Sequence, residues 1–425
     1  MKIKNHCSFM RMLFLACLIF QLNSARGADS VAHGADACLR QLNEGIDGLQ
    51  KHLPAITKSA EQAAAAYVRD GYAIAAFGEP GLVSEAVFRA GGLIAITSGD
   101  LKSTAKTKTI VLLFPHPFTL QKDFAAAKEI QKQGGMIILF GTQSVADAAI
   151  KAGMVADSLI DTGFPRSAAK PVLEENIWFP ADSIMNIAAL WCWTGEFVSA
   201  CTRLGKMPPL HQSYSVPGAK ERAEKIMGLR FHPQQTPPPV AAAVIGSQYL
   251  SELKKCLAML NDKELGHIRA VAEQAAAAVR SGHSAYVVSM GHALDEHLSK
   301  LKNTGQMLSL KQAGSPLRKG DFVFAVAYDD VFPQLMEDAQ RAEAGLAWSL
   351  TDYKTTPHTG VGAIPQGQIF INQRWSLGDG VITIPEYETR ILPSSGFISE
   401  TILWMVLSKI DLLEASKVSH KLNTK

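Results

Sequence analysis

His292 is the residue in this chain best placed to do chemistry: an imidazole beside Gly291, where a short apolar run gives way to a helical pattern. Such a group serves as a general acid/base or as a hydrogen bond to a ligand. Other polar residues stand at similar junctions. Gly78 and Glu79 follow one apolar run, Tyr328 and Asp329 follow another, and Ser394 with Ser395 precede the last helical pattern. In an open parallel sheet, ligands bind at the carboxyl ends of the strands, where helix N-termini offer N–H groups and partial positive charge. The loops of interest are therefore 78–81, 115–119, 163–165, 289–293, 328–330 and 393–396. Several of these residues also have a plain structural reading. Asp330 and Thr119 read as helix N-caps, as do Ser394 and Ser395, and Glu79 reads as a carboxylate suited to its adjacent helix N-terminus. Glu296 and His297 read as solvent-facing. Gly360, Gly362 and Gly367 lack the strand–turn–helix context of a dinucleotide fingerprint and read as a loop or lid that includes His358.

These loops need strands before them and helices after them, and the chain supplies both twice. The segment Ala60-Glu61-Gln62-Ala63-Ala64-Ala65-Ala66 recurs letter for letter at 272–278. Each copy is followed by an arginine, a glycine and an apolar run: Arg69, Gly71 and 73–77, then Arg280, Gly282 and 285–288. Each run ends in a glycine that opens a helix, so one helix–strand–helix unit is used twice. Further strands are expected at 93–97, 109–114, 136–140 and 158–160, and then at 322–327, 346–350 and 380–384. Helices are expected between them at 83–90, 120–133, 144–152, 181–204, 241–260, 263–280, 293–301, 331–344 and 395–412. Residues 35–68 read as helix with a break near Pro54. Segment 352–377 reads as an insertion without a counterpart. The alternation predicts a doubly wound α/β protein.

Gly78, followed ten residues later by Phe88-Arg89-Ala90-Gly91-Gly92-Leu93, resembles the SIS (sugar isomerase) phosphosugar-binding fold, closest to a small bacterial group with an R-A-G-G-L run. Gly205-Lys206-Met207-Pro208-Pro209, Ser213 and Pro217-Gly218 resemble the end of that group's domain. In the second unit Gly291-His292, Gly320-Asp321 and Pro393-Ser394-Ser395 resemble the same landmarks in the same order. The resemblance covers most of 35–228 and 241–413. It implies two doubly wound, mainly parallel five-stranded sheets of flavodoxin-like type, packed as a pseudo-dimer. It also implies a sugar or sugar derivative as ligand, near Gly78, Glu79, Gly291, Tyr328, Asp329, Ser394 and Ser395. Glu400, one turn into the last helix, lies where related isomerases place a base, with His292 as its partner. The departures are chemical. SIS domains hold phosphate with a serine-rich loop, but here Tyr328-Asp329-Asp330 and Pro115-His116-Pro117 stand in that place. Carboxylates repel a phosphate, and prolines remove donors. Gly78-Glu79-Pro80-Gly81 likewise replaces the expected glycine, histidine and serine.

With 47% hydrophobic and 19% charged residues among 425, the chain is expected to fold as two globular domains. A net charge of +3 without a long basic run gives no sign of nucleic-acid binding. Lys2, Lys4 and Arg11 precede an apolar stretch at 12–22 and the small residues Ala25 and Gly27, the pattern of a cleaved export signal. The expected organisation is thus a signal at 1–27, a first domain at 28–228, a proline-rich linker at 229–240, a second domain at 241–414 and a tail at 415–425. Export to the periplasm or beyond follows, with no membrane association after cleavage. Cys38, Cys192, Cys201 and Cys256 have no metal-ligand spacing, and no cofactor or metal is expected. Self-association of the whole chain is compatible with the sequence. Three functions fit: binding of a carbohydrate derivative at altered phosphate loops, aldose–ketose isomerisation, or a structural role with inactive sites.

Overall fold

The computed structural model describes residues 6–99, 108–116, 119–162, 181–300, 307–310 and 316–422, with the backbone alone at 6–34, 181, 297, 299–300, 308–309 and 411–422. Helix α1 (His6–Asp70) leads into β1 (Ala73–Gly78), α2 (Pro80–Ala86), β2 (Ile96–Ser98), β3 (Thr109–Phe114), α3 (Leu120–Lys132), β4 (Met136–Gly141), α4 (Gln143–Lys151) and β5 (Ser158–Asp161). Helices α5 (Ala181–Arg203), α6 (Ala219–Ile226), α7 (Val244–Met259) and α8 (Leu265–Arg280) follow. The second sheet is built from β6 (Ala285–Ser289), α9 (His292–Lys300), β7 (Met307–Ser309), β8 (Phe322–Val326), α10 (Pro333–Ala342), β9 (Gly345–Leu350) and β10 (Ile369–Asn372). A ribbon of β11 (Gly380–Ile382) and β12 (Ile391–Pro393) precedes the final helix α11 (Ser395–Leu422).

The first sheet runs β2-β1-β3-β4-β5 and the second β7-β6-β8-β9-β10, with every pairing parallel. Both orders are the flavodoxin-like 2-1-3-4-5, so the chain is α/β with two doubly wound five-stranded sheets. Alternation along the central strands sorts the core. In β3, Ile110, Leu112 and Phe114 join one large cluster while Val111 and Leu113 face Phe124 and Ile130 of α3. In β8, Phe322, Phe324 and Val326 join that same large cluster, and Val323 and Ala325 face Leu335 of α10. One inner helical layer, drawn from α1, α5, α7, α8 and α11, is therefore shared by both sheets. The repeated alanines explain how it closes. Ala60, Ala63 and Ala64 in α1 and Ala272, Ala275 and Ala276 in α8 are all fully buried, while Glu61, Gln62, Glu273 and Gln274 face solvent.

Several expectations change. Pro54 lies inside α1, which continues without a break. An interior proline costs about 3 kcal/mol, and Leu49, Leu53 and Ile56, buried on either side of it, hold the helix in place. Helix α2 ends at Ala86 rather than Ala90, because its C-cap Val87 is extended and Phe88 after it adopts φ +55°. The segment 352–377 is no insertion: it contains β10, the fifth strand of the second sheet and the counterpart of β5. The strand expected at 380–384 pairs antiparallel with β12 outside that sheet. Edge strand β7 was not anticipated. Among the described residues no helix is long and apolar enough to cross a membrane.

Candidate ligand site between the two sheets

Helices α2 and α9 each follow the first strand of their sheet, and they pack on one another across the middle of the molecule. The contact brings His292 to Ser84, whose carbonyl lies 3.1 Å from Nδ1. A carbonyl only accepts, so Nδ1 carries the proton and Nε2 is the acceptor nitrogen. Burial, with Arg89 nearby, lowers the His292 pKa and keeps the ring neutral at pH 7.

Two adjoining clefts open at this contact. The first, about 610 Å³, is lined by Phe88, Arg89, His211, Ser213, His292 and Tyr328 among others. The second, about 540 Å³, reaches from Phe88 and His292 along the carboxyl ends of β1 and β2 to Gly78 and Ser98. Phe88 presents an aromatic ring to both and is 65% exposed. Its left-handed backbone is strained for a bulky residue, and such strain gathers at ligand sites.

Beneath the first cleft lies a buried ion cluster joining the two halves. Arg89 Nε donates to Glu85 Oε1 at 3.1 Å, and its other end reaches Asp379 Oδ2 at 3.3 Å and the Ser395 hydroxyl. Trp191 Nε1 donates to Glu85 Oε1 at 3.1 Å, and the Tyr328 hydroxyl donates to Asp379 Oδ2 at 3.2 Å. Burial works against the Arg89 charge, but Glu85 and Asp379 hold its pKa above the ordinary value. Burial and Asp379 also push the Tyr328 phenol up, so it remains a donor. The R-A-G-G-L run owes its shape to this place. Gly91 (φ +78°) accepts from Leu392 N at 3.0 Å, and a Cβ on Gly92 would lie 2.9 Å from the Trp191 ring.

The strand-end N–H groups that would face an anion are already occupied by the chain's own carboxylates. Glu79 caps α2, accepting from Gly81 N at 2.9 Å and Leu82 N at 2.8 Å. After β3, Asp123 accepts from His116 N at 2.9 Å and Thr119 Oγ at 3.0 Å. At the start of α11, Asp379 accepts from Ser394 N at 3.1 Å and Ser395 N at 2.9 Å. Asp329 accepts from Ser215 Oγ at 2.7 Å, from Tyr353 and from Lys354 at 3.0 Å. Burial opposes its charge, but these bonds hold its pKa below the ordinary carboxylate value. Glu79→Ala is expected to cost about 1 kcal/mol of stability through the lost cap, measured by urea unfolding.

The sequence-expected residues thus separate. Gly78, Gly291, His292 and Tyr328 line the clefts. Glu79, Asp329, Ser394 and Ser395 are buried and do not line either cleft. Glu400 is buried in α11 and likewise lines neither. Asp330 does not cap α10, whose N-cap is Phe332; it pairs with Lys354 at 3.0 Å. Thr119 is the N-cap residue of α3, but its hydroxyl serves Asp123. The Gly360–Ala363 turn packs on the Lys354 backbone, and no residue of 352–377 lines a cleft, so it forms no lid over them. Glu296 lines both clefts rather than facing open solvent. Loop 163–165, Pro117 and the His297 side chain lie outside the described residues. The four cysteines are buried thiols, and no metal-binding group is found among the described residues. Sequence reasoning missed Ser84, Phe88 and His211 as lining residues, and Glu85 and Asp379 as partners of Arg89. Phe88 alone had a signal, its place at the head of the R-A-G-G-L run; the others have no local signature.

His211 contributes a second neutral imidazole. It is 6% exposed, and burial, with His292 nearby, pushes its pKa down to about 4. Below pH 6.5 the unfolded chain takes up this proton first, so the stability His211 confers is complete above about pH 6.5 and lost as pH falls toward 4. Between pH 7 and pH 4 the native protein should lose roughly 2 kcal/mol more than His211→Gln. Parallel losses in the two proteins would reject this.

No family model matches the chain, and no curated protein matches it. Solved structures align with it along most of their length. A protein of Salmonella typhimurium LT2, provisionally named as sugar binding, aligns at 11% identity and TM-score 0.49, over 88% of this chain and 98% of its own. The C-terminal domain of glucosamine-fructose-6-phosphate aminotransferase from Francisella tularensis aligns at 11% identity and TM-score 0.44, over 90% and 92%. A provisionally named phosphosugar isomerase of Clostridium difficile 630 aligns at 10% identity and TM-score 0.41, over 88% and 93%. At such values they identify no family.

Proposed function

We propose that this chain is a tandem SIS-like protein, exported by its N-terminal segment, that binds an unphosphorylated sugar derivative between its two units. The observation that carries this reading is the set of internal carboxylates. Glu79, Asp123 and Asp379 sit on the N–H groups at three strand ends. A phosphate brought within about 4 Å of any of them would meet a repulsion on the order of 4 kcal/mol per unit charge. The clefts offer an exposed aromatic ring, two neutral imidazoles, hydroxyls, backbone, the carboxylates Asp295 and Glu296, and an arginine already paired with Glu85 and Asp379, a lining that suits a polyhydroxylated ring without a phosphate. His211 supports the reading further. Its Nε2 is buried without a hydrogen-bond partner among the described residues, while the residue lines the first cleft.

Thermal-shift measurements with amino sugars and their phosphates test this. Unphosphorylated sugars should raise the melting temperature and their phosphates should not. Stabilisation by the phosphates alone would reverse the assignment, and no response to any sugar would favour a structural role. Glu400 lines neither cleft, so the His292–Glu400 pair that an isomerase reading calls on is not assembled there, and the binding reading is preferred.

A further inference from the structure

Resting on that sugar-binding reading, we infer that the ligand consists of two linked sugar rings, one in each cleft. The clefts are neighbours rather than alternatives: Ser84, Phe88, His292 and Glu296 line both. Each falls in the range of roughly 300–1,000 Å³ typical of a small-molecule pocket. Each also has its own far end, His211 and Ser213 in the first, Gly78 and Ser98 in the second. A single ring would leave one of these ends without contact.

The residues at the junction suit a linkage. The Phe88 ring is held there by a strained backbone, and the His292 tautomer set by Ser84 makes Nε2 an acceptor for a hydroxyl. At the first far end the buried Nε2 of His211 calls for a hydrogen-bond partner. The charges narrow the class further. Both histidines are neutral, and Arg89 is committed to Glu85 and Asp379, so none of the three would hold an acidic sugar. The ligand is therefore a neutral disaccharide rather than an acidic one.

Calorimetry on the full chain decides it, using the monosaccharide with the largest thermal shift and two of its dimers, one α-linked and one β-linked. At least one dimer should bind about tenfold tighter than the monosaccharide or better, because the second ring binds at high effective concentration. Ser98→Trp fills the second cleft from an exposed edge strand, and should bring that dimer's affinity down to the monosaccharide's. Its melting temperature in the absence of sugar checks that it is folded. Dimers that bind no tighter than the monosaccharide would overturn the two-ring ligand and leave the sugar-binding reading standing. A gain that survives in folded Ser98→Trp would overturn the placement of the second ring. Failure of every sugar to bind would overturn both.

Discussion

Arg89→Ala should lower the unfolding free energy by about 3–5 kcal/mol, the range for removing one partner of a buried ion cluster. Arg89 is 4% exposed, and the side chains of Glu85 and Asp379 are fully buried. Alanine would leave two carboxylates sharing the hydrogen bonds of Trp191, Tyr328 and the Ser394 and Ser395 backbone, with no positive charge between them. Arg89→Lys should recover only part of the loss, because a point charge cannot replace the fork that meets Glu85 at one nitrogen and Asp379 at another. Since Arg89 and Glu85 belong to the first unit and Asp379 and Ser395 to the second, the cluster is also a latch between them. Urea unfolding of the three proteins reads the effect. A loss below about 1 kcal/mol in the alanine variant, the scale of an exposed pair, would show that the cluster is hydrated and weak.

The second large effect is expected at Gly78. Its φ is +115°, and a Cβ there would lie 1.9 Å from the Phe114 carbonyl oxygen and 2.6 Å from its carbon. That carbonyl also accepts from Glu79 N at 2.6 Å, so it cannot move without disturbing the turn that starts α2. Gly78→Ala must therefore part β1 from β3 at their carboxyl ends, at a cost of about 3 kcal/mol or more from backbone strain and overpacking together. Gly71→Ala is the matched control. It also has positive φ, +75°, but no atom lies within 4 Å of the Cβ position, so only the backbone term of about 1–2 kcal/mol applies. Equal losses in the two variants would show that the clash contributes nothing. Gly78 thus serves the fold by letting two strands and a loop approach, and as a glycine it presents only backbone to the second cleft.

Much of the architecture was legible because it rests on local pattern. The apolar run of β3 was readable to the residue, since a strand buried on both faces leaves no polar position to blur its ends. The twofold Ala60–Ala66 heptad announced two similar helices, and burial of the same alanines in both shows why those letters recur. β10 was not legible: Ile369–Asn372 is short, pairs along one edge only, with β9, and follows a stretch of glycines, prolines and a 3₁₀ turn rather than the helix that precedes β5. The site was half legible. His292, Gly291, Tyr328 and Gly78 could be placed at strand ends because a strand–helix alternation puts loops there.

What the amino-acid order determined by itself was therefore most of the helices and central strands, their doubly wound alternation and the absence of a serine-rich phosphate loop. Only the tertiary structure decided where the Asp379 carboxylate goes. Asp379 meets Arg89 across 290 positions of chain, and His292 meets Ser84 across |i−j| = 208. Local periodicity carries no information about such pairs, because they exist only once α2 and α9 have packed and α11 has closed the shared helical layer. Glu79 and Asp123 are satisfied by neighbours within a few residues, whereas Asp379 becomes the partner of Arg89 only through that packing, which buries the pair beneath the cleft.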